Sequence, residues 1–437
     1  MNKRLSLAFG VASCFLMMMM SLTACGRSTA NSTSSRPTLG MPANETLYVL
    51  VGAAGGQRLV AIRAGGSGDG PMTLPAGLVT QDHLRLYVAT SRGARTTVNM
   101  LDTRSGATLR SFTIDGSYAT DAIGYGGSTL SPDGHWLALR QSAQMNGGQS
   151  TIAVVDTQTM KVAHTIQLSG DFALDALSPD GSVLYLLQNL HDAAHHYYVR
   201  AYDLGVGKLL PQIIVDKSEI DHPQMRGSAI ARRVANDGAA AFTLYVDPLR
   251  NTAFVHVLPL SSTGNILPFA RCVDDLPAST SADMLRGYTL VLSADGATLF
   301  AVNAALGVAS RITVVDGGVL NAHVVAASHF EPMGALDGDY GAEGIFSNGA
   351  ALSPDGTTLY VAGARGLQII RTSDMKPIAT YLPGHTLTGV ALSASGTLLY
   401  VTDVHDGVLL LSSDGTQSKH VTIPNGLAPR SIAWVGK

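Results

Sequence analysis

A short sequence motif of apolar and polar positions recurs along most of the chain. An apolar run leads into Ser-x-Asp-Gly, and a second apolar run follows directly. Clear copies begin at Leu130, Leu177, Leu292 and Leu352, and a related Ser-Ala-Ser-Gly follows Leu392. In such a turn Pro presets φ, Asp bonds nearby backbone, and Gly adopts the left-handed conformation. The motif therefore predicts a hairpin of two apolar β-strands.

Each predicted hairpin is followed by a third apolar segment and, after a polar turn, by a fourth. Residues 152–155 and 312–315 are third segments, and residues 162–168 are a fourth. The first three segments are nearly continuous apolar runs, as expected where neighbouring sheets cover both faces. Four antiparallel strands in about 40 to 60 residues are typical of one propeller blade. The pattern therefore predicts an all-β chain that folds as a β-propeller of four-stranded blades.

The number of second strands predicts eight blades. Seven blades are the alternative, because the first and fifth units match the pattern weakly. The first unit lacks an inner strand, and the last segment, residues 429–435, is an inner strand without a unit of its own. We therefore expect the C-terminal strand to complete the first blade and close the ring.

One copy of the repeat carries a family resemblance. The segment Leu399-Tyr-Val-Thr-Asp403 resembles the motif of the Tyr-Val-Thr-Asn-repeat and lactonase-like propeller families. The resemblance extends over residues 45–437 and implies a single propeller domain there. It is specific for the fold and implies no particular activity, because one fold supports many functions.

The N-terminal residues have the features of an export signal. Residues 1–4 include Lys and Arg, residues 5–22 are mostly apolar, and Leu22-Thr-Ala-Cys25 follows. This tetrad resembles the lipobox of bacterial lipoproteins, which implies that residues 1–24 are removed and that Cys25 is acylated. An uncleaved anchor is the alternative, since about 20 apolar residues can span a bilayer. Either way we expect an extracytoplasmic protein tethered to the bacterial cell membrane or envelope.

The composition indicates how the chain is organised and which classes of partner it could bind. Residues 25–44 are rich in Ser and Thr, which predicts a flexible tether. The net charge is −3 and only 14% of residues are charged, so we expect no nucleic acid partner. Of the three cysteines, Cys14 leaves with the signal and Cys25 carries lipid, so Cys272 remains and no internal disulfide is expected.

Loop lengths distinguish the two ends of the predicted blades. The first-to-second and third-to-fourth turns are short, about four residues each. The second-to-third loops and the connections between blades carry nearly all insertions, and both emerge on the same face. Long loops in a compact repeat are commonly functional, so we expect binding on this loop-rich face.

Two groups of ligand-type side chains lie in the inserted loops. In the first, His191 and His195 are spaced i and i+4 and His196 follows, so they could bind a divalent metal from one helical face. The second has three carboxylates in a Gly-rich loop, which could hold Ca²⁺ through oxygen ligands. Its members are Asp337, Asp339 and Glu343. The alternative for both groups is a solvated polar loop, and no cofactor is required by the sequence.

Three functional hypotheses fit these features. The chain has no covalent-haem motif, nucleophile elbow, phosphate loop or zinc-protease pair, which favours a non-enzymatic role. The main hypothesis is a membrane-tethered scaffold that binds a protein or small ligand through the loop-rich face. The alternatives are a lactonase-like, metal-dependent hydrolase and a structural component of an envelope assembly.

Overall fold

The computed structural model describes most of the chain from residue 39 onward, and the structural statements below concern those residues. The described ranges are 39–53, 56–64, 72–120, 126–142, 148–192, 196–217, 220–262, 269–316, 319–334, 348–421, 423 and 427–437. They contain β-strands and a single helical turn, α1 (Ala282–Leu285). No helix among them has the length and apolar character needed to cross a membrane.

The described strands fall into eight sets of four, which we call blades 1 to 8. Blade 1 contains β1 (Thr46–Ala53), β2 (Gly56–Arg63), β3 (Met72–Pro75) and the C-terminal β32 (Pro429–Gly436). Blade 2 contains β4 (Leu78–Val79), β5 (Arg85–Arg92), β6 (Arg95–Asp102) and β7 (Thr108–Asp115). Blade 3 contains β8 (Ser128–Leu130), β9 (Trp136–Arg140), β10 (Gln149–Asp156) and β11 (Lys161–Ser169). Blade 4 contains β12 (Asp171–Leu177), β13 (Val183–Asn189), β14 (Tyr197–Asp203) and β15 (Lys208–Asp216).

The second half of the chain repeats this arrangement. Blade 5 contains β16 (Ser228–Val234), β17 (Ala240–Asp247), β18 (Thr252–Pro259) and β19 (Phe269–Val273). Blade 6 contains β20 (Tyr288–Leu292), β21 (Thr298–Asn303), β22 (Val308–Asp316) and β23 (Val319–His329). Blade 7 contains β24 (Ala350–Leu352), β25 (Thr358–Gly363), β26 (Gly366–Arg371) and β27 (Lys376–Tyr381). Blade 8 contains β28 (Leu387–Leu392), β29 (Leu398–Asp403), β30 (Gly407–Ser412) and β31 (Ser418–Val421).

Strands within each blade pair with their neighbours in order, from an inner to an outer strand, and all of these pairs are antiparallel. The outer strands β15 and β19 also form a short parallel pair, Val215 with Phe269 and Asp216 with Ala270, which joins blades 4 and 5 into one eight-stranded sheet. The predicted all-β propeller of four-stranded antiparallel blades is confirmed. The count of eight for the whole ring stays a prediction, because parts of the chain lie outside the described residues.

The recurring Ser-x-Asp-Gly motif forms the turn between the first and second strands. In blade 3, the Ser131 hydroxyl donates to Asp133 Oδ1 at 2.5 Å, and the Trp136 N–H donates back to Ser131 Oγ at 2.9 Å. The Asp133 carboxylate also accepts the His135 N–H at 3.0 Å. Gly134 has a φ of +73°, which an L side chain adopts only with strain. The Ser, the Asp and the Gly of the motif therefore each contribute to closing the hairpin.

Apolar side chains between adjacent blades form the core. Leu50 and Leu59 of blade 1 pack with Leu86 of blade 2, and all three are fully buried. Val49 of blade 1 packs in the same way against Leu410 of blade 8. Because each sheet is covered on both faces, its strands carry continuous apolar runs instead of strict alternation.

The C-terminal strand closes the ring. Strand β32 pairs antiparallel with β1, and Tyr48 lies opposite Trp434. Their rings stack with centroids 4.4 Å apart. The buried carboxylate of Glu45, just before β1, accepts the Ala394 N–H and the Tyr400 hydroxyl of blade 8, each at 2.8 Å. The first and last blades are thus joined by backbone pairing and by a buried carboxylate.

Replacement of Trp434 by Ala tests the closing strand. Trp434 is 4% exposed and stacks on both Tyr48 and His83, so its loss leaves a cavity at the closure. We expect W434A to lower the free energy of unfolding by about 3–5 kcal/mol, measured as a shift of the urea midpoint. The matched control is I378A at a 53% exposed position, with an expected change of about 0.5 kcal/mol or less. An equal effect of both substitutions would contradict a structural role for the closing strand.

Candidate functional site: the central channel

A cavity of about 700 Å³ lies among the inner strands. Its walls come from blades 1, 2, 3, 5, 6, 7 and 8. Leu130, Leu292, Leu352 and Leu392 supply apolar surface. A cavity of this size is within the usual range for small-ligand sites.

The first-to-second strand turns line one end of the cavity. Pro132, Asn236, Pro354 and Ala394 belong to these turns. The second-to-third loops leave the opposite ends of the antiparallel strands, so this end of the cavity is not the loop-rich one. Several inserted loops lie partly outside the described residues, and the expected binding on the loop-rich face stays a prediction.

Hydrogen bonds cross the channel through Asn348, which directly precedes blade 7. Arg233 of blade 5 donates to Asn348 Oδ1 at 2.9 Å. The Asn348 amide nitrogen donates to the carbonyls of Ile432 at 3.0 Å and Ala433 at 2.9 Å in blade 1. The Asn348 carbonyl accepts the N–H of Val390 in blade 8 at 2.8 Å. One amide side chain and its backbone therefore connect four blades at the channel.

Two adjacent arginines bring positive charge to the cavity wall. Arg232 forms a buried ion pair and a backbone hydrogen bond with Asp175 of blade 4, and the Asp175 side chain is only 2% exposed. Arg233 donates to the Arg232 carbonyl as well as to Asn348 Oδ1. No aspartate or glutamate is among the residues that line the described cavity. The described wall therefore carries two guanidinium groups and no acidic side chain.

A row of polar side chains leads from Arg232 into the contact between blades 4 and 5. Strand pairing places Arg232 opposite Thr243, Thr243 opposite His256, and His256 opposite Cys272, so all four share one face of the sheet. The Arg232 Nε–H donates to Thr243 Oγ1 at 3.0 Å. His256 is 1% exposed, and its Nε2 has no hydrogen-bond partner among the described residues.

Burial lowers the pKa of His256 below its ordinary value of 6.5. The charges of Asp175 and Asp216 oppose this shift, and the positive charge of Arg232 adds to it. Desolvation is the largest cause, since a protonated imidazole in this buried contact would lose its hydration. His256 is therefore neutral in the folded chain near neutral pH.

An aromatic stack lies beside the cavity between blades 1 and 2. The His83 ring stacks on Trp434 with centroids 5.3 Å apart, and Trp434 stacks on Tyr48. Burial lowers the pKa of His83, and the neighbouring Asp82 opposes the shift. His83 and Trp434 both line the cavity, so the stack forms part of its wall.

In the structure, two of the predicted metal-binding histidines lie beside different carboxylates. His196 Nδ1 lies 2.6 Å from Asp192 Oδ2, whereas His191 Nε2 lies 3.4 Å from Asp171 Oδ2. His195 lies outside the described residues. The metal site proposed for these three histidines therefore stays a prediction.

The remaining sequence-predicted site residues also lie outside the described residues. They are Cys25, Asp337, Asp339 and Glu343. Their expected roles, lipid attachment for Cys25 and Ca²⁺ binding for the three carboxylates, stay predictions. The metal-dependent hydrolase hypothesis depends on the same loop residues, so it also stays a prediction.

Among the described residues, the structure brings together one group of ligand-type side chains that the sequence pattern did not reveal. His385, Asp403 and Asp406 each offer a ligand atom within 4.8 Å of the others. Asp403 ends the Leu-Tyr-Val-Thr-Asp motif, and His405-Asp406 follows it closely. The sequence therefore shows that ligand-type residues cluster here. His385 is remote in sequence, and only the pairing of Leu387 with Asp403 brings it near.

Comparisons with known proteins give structural likeness alone. No protein-family model matches the chain, and no curated protein matches it. The β-propeller domain of Cps50 (Swd1) from Myceliophteria thermophila is 11% identical, with 79% of this chain and 95% of that chain covered and a TM-score of 0.41. Hydrazine synthase from Kuenenia stuttgartiensis is 15% identical, covering 80% and 98%, with a TM-score of 0.40. The dihydro-heme d1 dehydrogenase NirN is 14% identical, covering 80% and 66%, with a TM-score of 0.45.

The lowered pKa of His256 predicts a loss of stability in mild acid. Below pH 6.5 the unfolded chain binds a proton at this residue, while the folded chain resists it until the lower folded pKa is reached. We expect the free energy of unfolding to fall by up to about 1.4 kcal/mol per pH unit from this group. Urea unfolding between pH 7.5 and 5.5 should show a weaker pH dependence in H256Q than in the wild type. Identical pH dependence of the two proteins would contradict the prediction.

Proposed function

We propose that this chain is a membrane-tethered, extracytoplasmic binding protein that holds a small organic anion in the channel of its propeller. The observation that carries the proposal is the cavity of about 700 Å³ with two arginines and no carboxylate among its described lining residues. Arg232 pairs with Asp175 beneath the wall, and Arg233 places a second guanidinium on the same wall. The proposal keeps the scaffold hypothesis and adds the channel as its binding site.

The shape and chemistry of the wall support a small molecule as the ligand. Leucine side chains provide apolar surface, while Thr80, Gln81, Ser131 and Ser393 add hydroxyl and amide groups. Guanidinium groups recognise carboxylates and phosphates through directed, charge-assisted hydrogen bonds. A partly enclosed site also strengthens this attraction, because less water screens the charges.

The tether determines where such binding takes place. The lipobox-like segment before Cys25 and the Ser/Thr-rich residues 25–44 support a domain held near a membrane outside the cytoplasm. A binding domain in that position meets ligands that reach the cell envelope. Capture of a ligand at the membrane, rather than its conversion, is the role that this organisation favours.

Substitution of Arg233 tests the channel. We expect citrate, gluconate or glucose 6-phosphate to raise the melting temperature of the purified chain, because a ligand at 100 times its Kd stabilises by about 2.7 kcal/mol. R233M should raise the Kd by about tenfold or more, while R233K should retain part of the binding. Arg95, 73% exposed on an outer blade surface, supplies the matched control, and R95M should bind as the wild type does.

The same titrations include choline and spermidine as cationic probes. Stabilisation by these cations equal to that by the anions would contradict the proposed selectivity. Undiminished anion binding by R233M would contradict the proposed site. Melting of each variant without ligand reports any change caused by loss of the hydrogen bond to Asn348.

Replacement of Cys25 tests the tether. We expect C25S to abolish incorporation of radiolabelled palmitate and to block removal of residues 1–24, because the motif that this segment resembles depends on the Cys thiol for acylation and on the Cys position for cleavage. C272S is the matched control and should be labelled and processed normally. Gel mobility and membrane fractionation provide the measurement. An unlabelled wild-type chain that remains uncleaved in the membrane would instead support the uncleaved anchor.

A further inference from the structure

We propose that His385, Asp403 and Asp406 bind one divalent transition metal ion at the loop-rich end of blade 8. His385 lies in the connection that leads into β28. Asp403 ends β29, and Asp406 lies in the turn between β29 and β30. Both segments belong to the end of the blade that carries the inserted loops. None of the three residues lines the central cavity, so this site is independent of the proposed anion site.

The distances among the three side chains suit a metal with nitrogen and oxygen ligands. His385 Nδ1 lies 3.1 Å from Asp403 Oδ2 and 3.3 Å from Asp406 Oδ2. Ligand atoms about 2.1 Å from one metal are about 3.0 Å apart in octahedral and about 3.4 Å apart in tetrahedral coordination. The two separations from His385 Nδ1 fall in this interval, and all three ligand atoms lie within 4.8 Å of one another.

Backbone hydrogen bonds orient the central carboxylate. Asp403 Oδ1 accepts the N–H groups of His405 at 2.7 Å and Asp406 at 2.8 Å. These bonds occupy one oxygen and direct the other, Oδ2, toward His385. The Asp403 side chain is only 1% exposed, so its orientation is held by its surroundings. Such outer contacts are what fixes a metal ligand in place.

Blade 5 shows how an equivalent carboxylate is balanced without a metal. Asp247 ends β17 as Asp403 ends β29, and it accepts the N–H of Leu249 in the following turn. Its other oxygen lies 3.4 Å from Nε of Arg226, in the connection that precedes the inner strand of that blade. One guanidinium there balances one buried carboxylate.

Blade 8 has a different balance of charge at the corresponding place. His385 replaces the arginine, and a second carboxylate, that of Asp406, converges on the same imidazole nitrogen. Even a protonated imidazole would leave one negative charge in excess. A divalent cation would neutralise both carboxylates and reduce their mutual repulsion.

The ligand set indicates the class of metal. One imidazole and two carboxylates suit Zn²⁺ and similar first-row ions, whereas Ca²⁺ takes six to eight oxygen ligands. The side chains of His385 and Asp406 are 33% and 39% exposed, so coordination positions face solvent. Those positions could hold water or an oxygen ligand from a partner that approaches the loop-rich face.

Zinc titration of the full chain tests the site. The chain is purified in detergent, stripped with a chelator and titrated with ZnCl₂ by calorimetry, alongside H385Q and D406N. We expect each variant to bind one Zn²⁺ fewer than the wild type, or to bind it with a Kd raised by more than about tenfold. The control is H135Q, because His135 faces a single carboxylate, Asp156, at 3.3 Å and should not contribute.

A second measurement needs no variant. Diethyl pyrocarbonate modifies accessible histidines, and mass spectrometry locates the product. We expect Zn²⁺ to protect His385 and to leave His135 reactive. Absence of saturable Zn²⁺ binding by the folded chain would overturn the proposal, as would equal modification of His385 with and without Zn²⁺. The group would then be a hydrogen-bonded ion pair alone.

Discussion

Pairing of β32 with β1 joins the two ends of the described propeller. Without it, the inner strand of blade 1 would be missing, and the apolar faces of blades 1 and 8 would meet water. The stack of Tyr48 on Trp434 and the buried carboxylate of Glu45 reinforce the same junction. Because each blade is covered only by its two neighbours, closure at this junction completes the burial that stabilises all the others.

Closure also creates the channel and therefore its chemistry. The residues that meet at Asn348 come from blades 1, 5 and 8, and they are adjacent only because the blades are arranged around a common axis. Arg233 can present its charge to the cavity because the inner strand of blade 5 faces the other inner strands across this space. The anion site that we propose is thus a property of the closed ring and of no single blade.

Variation within the repeat distinguishes the individual blades. Blades 5 and 8 both end their second strand with a buried Asp that accepts backbone N–H groups of the following turn. Blade 5 balances this charge with Arg226, whereas blade 8 places His385 and a second carboxylate there. The carboxylate at the end of the second strand thus lies in blade 8, but not in blade 5, among side chains that could hold a metal.

The sequence by itself determined the all-β class, the four-stranded unit and the role of the last strand. These features depend on local turn chemistry at Ser131, Asp133 and Gly134 and on apolar runs, both of which are visible along the chain. The tertiary structure alone decided which side chains meet: Arg233 with Asn348, Arg232 with Asp175, and His385 with Asp403. Such contacts join residues that are distant in sequence and depend on register and blade order, which no local pattern encodes.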